Sequence, residues 1–241
     1  MDKFVRNELE KGGMTGPFPT SPFNDVMISP LMTSPKKPNS RRTAFDASFS
    51  NYSLNINTPD KLYLNEDYEF TFPKLDDFSK LILKYGKNCF LWKRDLARFF
   101  LQLPLDPIDY DKVGCIWRGQ LLLFTSYVWG TRHAGMNGQR VTSAISAIHR
   151  SLGYSYIDAD SPNSVSLLNS DTSHASLLSD SSNSSPFNTL NYSDDTAGVE
   201  ATLERATLSF NLMGSLLEDL GFAESKDKAV PPTQCLTYID I

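Results

Sequence analysis

Apolar residues recur at helical spacing in three stretches of this chain. In residues 73–85, PKLDDFSKLILKY, apolar side chains recur every three or four positions, two aspartates lie in the first turn, and Gly86 follows. Residues 137–152 and 200–220 repeat the pattern, and Gly221 follows the second of them. Because this spacing places the apolar side chains on one face, it predicts three amphipathic helices that pack against a core.

Shorter apolar runs bounded by turn residues predict β-strands. Residues 88–96 form one such run, and residues 113–124 form two strands that turn at the sequence RGQ. Residues 191–199, NYSDDTAGV, predict a hairpin with two aspartates at its tip. A last strand is predicted for residues 235–241.

Three other stretches lack a sustained period. Residues 1–29 mix charge with Gly and Pro, which predicts a loosely ordered lead-in. Residues 51–72 are polar and aromatic and predict a loop with one short strand. Serine dominates residues 158–188, with eleven serines among the 25 residues of 161–185. Since this segment cannot bury enough apolar area to offset its ordering entropy, we expect a poorly ordered surface insertion.

The composition narrows the possible functions. The chain has 241 residues, 40% of them hydrophobic, which is enough to bury the core of one or two domains. Its net charge is -5, so the whole chain lacks the basic balance of typical nucleic-acid binders, and any such contact needs a local basic patch. Three widely spaced cysteines form neither a metal pattern nor a disulfide framework, which favours a reducing compartment.

The sequence shows neither a secretory signal nor a membrane span. The first residues, MDKFVRNELEKGG, lack the hydrophobic segment of a signal peptide. No stretch approaches the ~18 uninterrupted apolar residues that a membrane helix needs. We therefore expect an intracellular protein, cytoplasmic or nuclear, without a membrane partner.

Carboxylates at two places could carry chemistry. Asp194 and Asp195 are adjacent, and like charges this close repel unless one is protonated or a cation neutralises them. Mg²⁺ prefers such hard oxygen ligands, although Asp-Asp is also common in solvated turns, and both interpretations stay open. Asp95 ends a largely apolar strand, where an unpaired carboxylate is costly to bury. Its expected partner is Arg94, Arg98 or a metal ion.

Basic and small residues could bind anions at two further places. Lys36-Lys37 and Arg41-Arg42 flank a Pro-Asn-Ser turn, with an extended run over residues 43–49 after it. The ends of such a hairpin could hold phosphate oxygens by charge and by bidentate Arg contacts, or the pairs could be solvated surface. The sequence GTRHAG before the predicted helix 137–152 offers small residues and a guanidinium to an anion or a base pair.

Taken in order, these features resemble the reverse transcriptase domain, most closely that of DIRS-like and related retroelements. The resemblance runs from about residue 28 to residue 241, apart from the serine-rich insertion. SPLMTSPKKPNSRRTAFDASF resembles the fingers segment, FLWKRDLARFFLQLPLDP motif A, and VWGTRHAGMNGQRVTSAI motif B. NYSDDTAGVE resembles motif C, and LLEDLGFAESKDKAVPPTQCLTYIDI resembles motif D running into the primer-grip strand.

The resemblance implies a two-metal polymerase site. Two Mg²⁺ ions, for which Mn²⁺ can substitute, would lie ~3.5–4 Å apart and clamp the attacking and leaving oxygens. The residues implied to be catalytic are Asp95, Asp194 and Asp195, which would hold the metal ions, and Lys228, which would protonate the leaving pyrophosphate. The residues implied to bind the nucleotide and the templating pair are Lys37 and Arg42, Phe100 as the gate against the ribose 2′-hydroxyl, Arg132 and Gln139.

The implied fold is α+β, an antiparallel palm sheet with helices on one face plus an N-terminal fingers extension and no thumb. The implied function is an RNA-directed DNA polymerase of a retrotransposon, which adds dNTPs to a primer 3′-hydroxyl on an RNA or DNA template. The family usually has Pro and Phe in motif B where this chain has Val128 and Gly138. No thumb sequence follows Ile241, which predicts a truncated or degenerate copy. The alternative is a non-catalytic palm remnant that binds nucleic acid or protein.

Overall fold

The structure is a computed structural model that describes residues 1–37, 40–49, 62–63, 66–67, 72–155 and 185–237. It is a mixed α/β chain with antiparallel sheets. Two compact units divide it: the first unit comprises Met1–Phe72 and Ala97–Arg140, and the second unit comprises Pro73–Leu96 and Val141–Ile241.

Within the described ranges the α-helices are α1 (Asp2–Glu10), α2 (Leu75–Tyr85), α3 (Arg132–Ser155) and α4 (Leu203–Asp219). The strands are β1 (Met14–Phe18), β2 (Leu31–Lys37), β3 (Ser40–Phe45), β4 (Leu62–Tyr63), β5 (Glu66–Asp67), β6 (Phe90–Asp95), β7 (Gly114–Trp117), β8 (Gln120–Phe124), β9 (Thr189–Tyr192), β10 (Asp195–Glu200) and β11 (Val230–Thr233). Two 3₁₀ turns lie at Phe99–Gln102 and Pro107–Lys112.

The first unit contains a three-stranded sheet in the order β1-β8-β7 and the separate hairpin β2-β3. The predicted strand pair at residues 113–124 is confirmed, with Arg118 and Gly119 at positive φ, as a type I′ turn requires. The basic pairs do flank a hairpin, although its second strand ends at Phe45 rather than continuing to residue 49. Strands β4 and β5 are the described part of the predicted loop at residues 51–72.

The predicted loose lead-in at residues 1–29 is wrong, because α1 and β1 lie within it. Val5 packs in the core of the first unit, and the buried Glu8 carboxylate accepts hydrogen bonds from Arg98. β1 carries Gly16 and Pro17 but pairs with β8 as an edge strand, a position that tolerates proline. Tertiary contacts therefore stabilise both elements, and the local sequence pattern gives little sign of them.

The second unit contains a four-stranded sheet in the order β11-β6-β10-β9. Its core includes Phe78 from α2, Leu91 from β6 and Val199 from β10, which confirms that the predicted helix at residues 73–85 packs by its apolar face. The predicted helix at residues 200–220 is observed as α4, but Glu200 belongs to β10 and is buried against Arg205.

Two other predicted boundaries differ from the structure. Helix α3 begins at Arg132, five residues before the predicted start, so Gly135 and Gly138 lie inside its first turns, while Gly130 precedes it. The last strand in the described residues is Val230–Thr233; of the strand predicted for residues 235–241, residues 235–237 are not in a strand and residues 238–241 lie outside the described residues. Pro231 and Pro232 can lie in it because β11 is an edge strand of its sheet.

Most of the predicted serine-rich insertion lies outside the described residues. At its described end Ser185 is exposed, whereas Phe187 is fully buried and the Asn188 backbone N–H donates to the Glu200 carboxylate. The insertion therefore ends before Phe187. In the described ranges, no helix combines the length and the apolar character that crossing a bilayer would need.

His149 predicts an acid-sensitive step in the stability of the second unit. Its ring is fully buried; Nε2 donates to the Ser209 carbonyl at 2.8 Å, and Nδ1 accepts from the Thr189 hydroxyl at 2.8 Å. Burial, the largest effect, lowers the pKa of His149 to about 4 from 6.5. Below pH 6.5 the unfolded chain therefore gains a proton that the folded chain does not, and stability falls until about pH 4.

We expect this histidine to account for about 3 kcal/mol of lost unfolding free energy between pH 7 and pH 4. Urea unfolding of His149→Gln should show that much less pH dependence than the wild type. Parallel profiles for the wild type and His149→Gln would contradict the assignment.

Candidate active site

The aspartate pair lies at the tip of a tight hairpin. β9 and β10 pair in antiparallel register with Tyr192 opposite Asp195, which leaves only Ser193 and Asp194 in the loop. Ser193 has φ +54°, a left-handed value that two-residue hairpin turns require at their first position. The predicted hairpin is therefore confirmed, and its turn presents two consecutive carboxylates at one end of the sheet.

Asp95 lies directly beside this hairpin. β6 pairs with β10 so that Asp95 is opposite Asp195, and the Leu96 N–H donates to the Asp194 carbonyl at 3.0 Å. Directly opposed residues of an antiparallel pair project from the same face of the sheet, with Cβ atoms about 4.5–5.5 Å apart. The fold thus brings together three acidic residues that are distant in sequence, while their catalytic and metal-binding roles stay predictions.

Each of the two opposed carboxylates has a lysine partner. The Lys228 ammonium lies 2.8 and 2.7 Å from the two oxygens of Asp95, whose side chain is 4% exposed. The Lys93 ammonium lies 3.0 Å from Oδ1 of Asp195. The partner of Asp95 is therefore Lys228, rather than either of the arginines expected from the sequence.

These contacts alter the acidities at the site. Burial raises the pKa of Asp195, and the charges of Asp194 and Asp95 act in the same direction, against the opposing effect of Lys93. Burial alone would lower the pKa of Lys228, but its hydrogen bond to Asp95 and the nearby carboxylate charges outweigh that effect and raise it. The three carboxylates therefore create a local negative potential, which the two lysine ammonium groups partly offset.

The donor atoms suit a hard divalent cation. Carboxylate oxygens of Asp95, Asp194 and Asp195 are the ligands that Mg²⁺ prefers, and Lys228 already bridges both oxygens of Asp95 as a cation would. Among the residues that the structure describes, no group of three or more acidic, histidine or cysteine side chains is arranged to hold a metal ion. The three carboxylates are therefore suitable ligands for Mg²⁺ by their chemistry. The ammonium groups of Lys93 and Lys228 have to move away from Asp195 and Asp95 before an ion can bind there.

The residues predicted to bind the nucleotide all lie in the first unit. The Arg42 guanidinium lies 5.5 Å from the centre of the half-exposed Trp129 ring. Phe100 lies in the 3₁₀ turn after β6, where its ring would be 2.8 Å from a Cβ at Gly138. Gln139 is buried in α3, and Lys37 and Arg132 lie at the end of β2 and the start of α3.

Sequence reasoning missed Lys93 as a residue of the site and Glu224 as the partner of Arg94. Lys93 lies two positions before Asp95 on the same strand and therefore on the same face, a signal that the alternation of a strand could have supplied. Arg94 was considered only as a partner of Asp95, whereas it binds Glu224. The pairing of residues so far apart in sequence leaves no local pattern.

The comparisons with known proteins support the fold and nothing finer. The sequence matches no protein-family model and no curated protein. The structure is similar to that of prototype foamy virus protease-reverse transcriptase, with a TM-score of 0.61 and 15% identity over 96% of this chain and 24% of that one. It is also similar to a foamy viral protease-reverse transcriptase in complex with double-stranded DNA, with a TM-score of 0.66 and 13% identity over 99% of this chain and 38% of that one.

These similarities identify a reverse transcriptase-like fold. At 13% and 15% identity they carry the fold alone, without the activity of the viral enzymes. The chain spans between about a quarter and two fifths of the length of those viral chains.

Proposed function

We propose that this chain is the polymerase domain of a reverse transcriptase from a DIRS-like or related retroelement, with fingers in the first unit and a palm in the second. The observation that carries the proposal is the register of β6 and β10, which sets Asp95 opposite Asp195 at the tip of the aspartate hairpin. The likeness to viral reverse transcriptase structures supports the same assignment.

The proposed reaction is transfer of a nucleotide from a dNTP to a primer 3′-hydroxyl. Asp95, Asp194 and Asp195 would hold two Mg²⁺ ions, which would supply Lewis-acid stabilisation to the attacking and leaving oxygens. Lys228, released from Asp95, donates a proton to the leaving pyrophosphate. The nucleotide-binding side chains that the family resemblance implies are Lys37, Arg42, Phe100, Arg132 and Gln139.

The proposed partners are a primer annealed to an RNA or DNA template. Viral enzymes of similar fold form complexes with double-stranded DNA, which favours a duplex ligand for this chain as well. The net charge of -5 is unfavourable for phosphate binding, so the local basic residues of the first unit have to provide the affinity. Duplex binding should therefore weaken steeply as the salt concentration rises.

A non-catalytic palm remnant is the second candidate. It is favoured by the two lysines, which already neutralise the opposed carboxylates and so compete with divalent cations. Such a remnant would bind nucleic acid or a protein without nucleotide transfer. The two candidates differ in one measurable property, which is template-directed extension.

Primer extension tests the proposal directly. The purified chain is incubated with a labelled DNA primer on an RNA template, all four dNTPs and Mg²⁺ or Mn²⁺. We expect extension one nucleotide at a time, dictated by the template and abolished by a chelator. Fluorescence anisotropy of the same duplex measures binding in parallel, so that duplex binding without extension at any metal concentration would establish the remnant instead.

Phe100 is expected to determine sugar selectivity. Phe100→Ala should raise the incorporation of ribonucleotides relative to deoxyribonucleotides by about 100-fold, because a smaller side chain leaves room for the 2′-hydroxyl. Single-nucleotide incorporation rates measure the ratio. Phe49→Ala is the matched control, since Phe49 is an exposed phenylalanine of the same unit. Unchanged selectivity in a folded Phe100→Ala protein would refute the gate.

A further inference from the structure

The side chain of Arg94, the residue before Asp95, makes several contacts with the rest of the second unit. Its side chain is 11% exposed, and Nη1 donates to both carboxylate oxygens of Glu224 at 2.8 and 2.7 Å. Nε donates to the Phe210 carbonyl at 2.9 Å, and the guanidinium lies 3.9 Å from the centre of the Phe210 ring. A planar guanidinium can stack on the Phe210 ring while its Nε and Nη1 donate to two different acceptors, and a lysine side chain cannot make this combination of contacts.

Helix α4 leaves space for this guanidinium. A Cβ atom at Gly214 would lie 2.5 Å from Nη2 of Arg94, so any larger residue there would displace the arginine. Glu224, the acceptor, is only 13% exposed. The ion pair is therefore largely buried in the second unit, in a space that depends on the missing side chain of Gly214.

The segment that Arg94 holds is the one that carries Lys228. Glu224 pairs with Leu96 in a β-bridge, and the Ser225 N–H donates to the Asp95 carbonyl at 2.8 Å. The Lys228 N–H then donates to the Ser225 carbonyl at 2.9 Å, which closes a turn. We call residues 224–228 the lysine turn. It contacts the end of β6 at two points, through the bridge between Glu224 and Leu96 and through the Lys228 ammonium on the Asp95 carboxylate.

We propose that the Arg94–Glu224 pair is a positioning device that sets the Lys228 ammonium against the Asp95 carboxylate. Side chains alternate along a strand, so Arg94 projects from the opposite face to Asp95 and acts on the site only through the lysine turn. A buried ion pair is a weak source of stability, because desolvation offsets much of its attraction. Fixing the turn that carries Lys228 accounts for the pair better than stability does.

The role rests on the proposed function, since Lys228 matters to catalysis only if the chain is a polymerase. The positioning itself can be measured without activity. Acylation of lysines by a limiting reagent, read by mass spectrometry, reports how far the Asp95 carboxylate shields the Lys228 ammonium. Arg94→Lys keeps the charge but loses the stacking on Phe210 and the Nε donation to its carbonyl, so we expect Lys228 to be acylated about 10-fold faster in this variant.

Two controls separate positioning from general loosening. Lys80, whose side chain is 75% exposed, should be acylated at the same rate in all variants. Arg118→Lys disturbs an exposed arginine–aspartate pair of the first unit, with Asp2, and should leave the Lys228 rate unchanged. The double variant Arg94→Met with Glu224→Leu removes both charges without leaving one unpaired, so it should fold and still show fast Lys228 acylation.

Steady-state kinetics add a second readout. Arg94→Lys should lower kcat for nucleotide addition about 10-fold with KM for the dNTP unchanged, and Arg94→Met should lower it further. An unchanged Lys228 acylation rate in folded Arg94 variants would overturn the positioning role. Absence of extension by the wild type would instead overturn the proposed function, and the acylation rates would still decide the positioning.

Discussion

Asp95→Asn should lower primer extension about 1,000-fold or more, which corresponds to roughly 4 kcal/mol of transition-state stabilisation. The expected loss is large because the Asp95 carboxylate lies opposite Asp195 and would supply ligand oxygens to the metal ions of the proposed site. An amide in its place carries no charge and offers one acceptor oxygen. Asp194→Asn should cause a similar loss.

The same substitution should leave the fold intact. Asn has nearly the shape of Asp, and the Ser225 N–H donates to the backbone carbonyl of residue 95, which the change does not touch. Lys228 loses its partner, but its side chain is 46% exposed and water can solvate the ammonium. The melting temperature should therefore change by no more than about 4 °C, the shift that ~1 kcal/mol produces in a protein of this size.

The matched control is Asp219→Asn, which makes the same chemical change at an exposed carboxylate of the second unit. Its extension rate should equal that of the wild type. Equal residual extension in the wild type, Asp95→Asn and Asp219→Asn would show that the activity comes from another source, and the polymerase assignment would fail.

The elements with local signals could be predicted from the sequence. The aspartate hairpin is one, because its two strands and its turn lie within a dozen residues, and the loop residues Ser193 and Asp194 are of types that favour turns. Helix α2 is another, since one period, an acidic first turn and a terminal glycine agree. The order of the motifs also predicted that Asp95 would lie beside the aspartate hairpin. The strand register agrees, since it places Asp95 opposite Asp195.

The missed elements depend on contacts between distant residues. Helix α1 has few apolar residues and is held by Val5 in the core and by the Glu8–Arg98 ion pair. β11 contains two consecutive prolines, which suggest a break unless its edge position is known. The contact between Lys228 and Asp95 was missed for the same reason, because the two residues are distant in sequence, although Lys228 itself was predicted as a site residue.

The structural reason for a glycine inside a helix or strand could not be predicted from the sequence either. Gly138 departs from the family pattern and lies within α3, where a Cβ would come within 2.7 Å of the Phe99 ring. A glycine inside a helix normally lowers the stability of the helix. Gly138 is explained by the rings of Phe99 and Phe100 in the neighbouring 3₁₀ turn, which leave no room for a Cβ. Local propensity and tertiary packing disagree there, and packing decides.

Gly198→Ala should destabilise the protein by about 3 kcal/mol, at the upper end of what overpacking a core usually costs. Gly198 lies opposite Trp92 in the β6–β10 pair, and an added Cβ would lie 2.2 Å from the indole ring. The ring cannot withdraw easily, because it is fully buried, donates to the Ser209 hydroxyl at 3.2 Å, and packs against His149 and Phe210. The strands that carry Asp95 and Asp195 would have to separate instead.

Chemical denaturation measures the loss, and a second glycine gives a control of opposite sign. Gly135 lies in α3 with ordinary space around it, the nearest side-chain atom being 3.8 Å from its added Cβ, so Gly135→Ala should stabilise the protein by about 0.5–1 kcal/mol. Combining Gly198→Ala with Trp92→Leu should cost less than the sum of the two single losses, because the smaller side chain makes room for the methyl group. If Gly198→Ala proved neutral, the close approach of β10 to Trp92 would be wrong, and with it the register that sets Asp195 opposite Asp95.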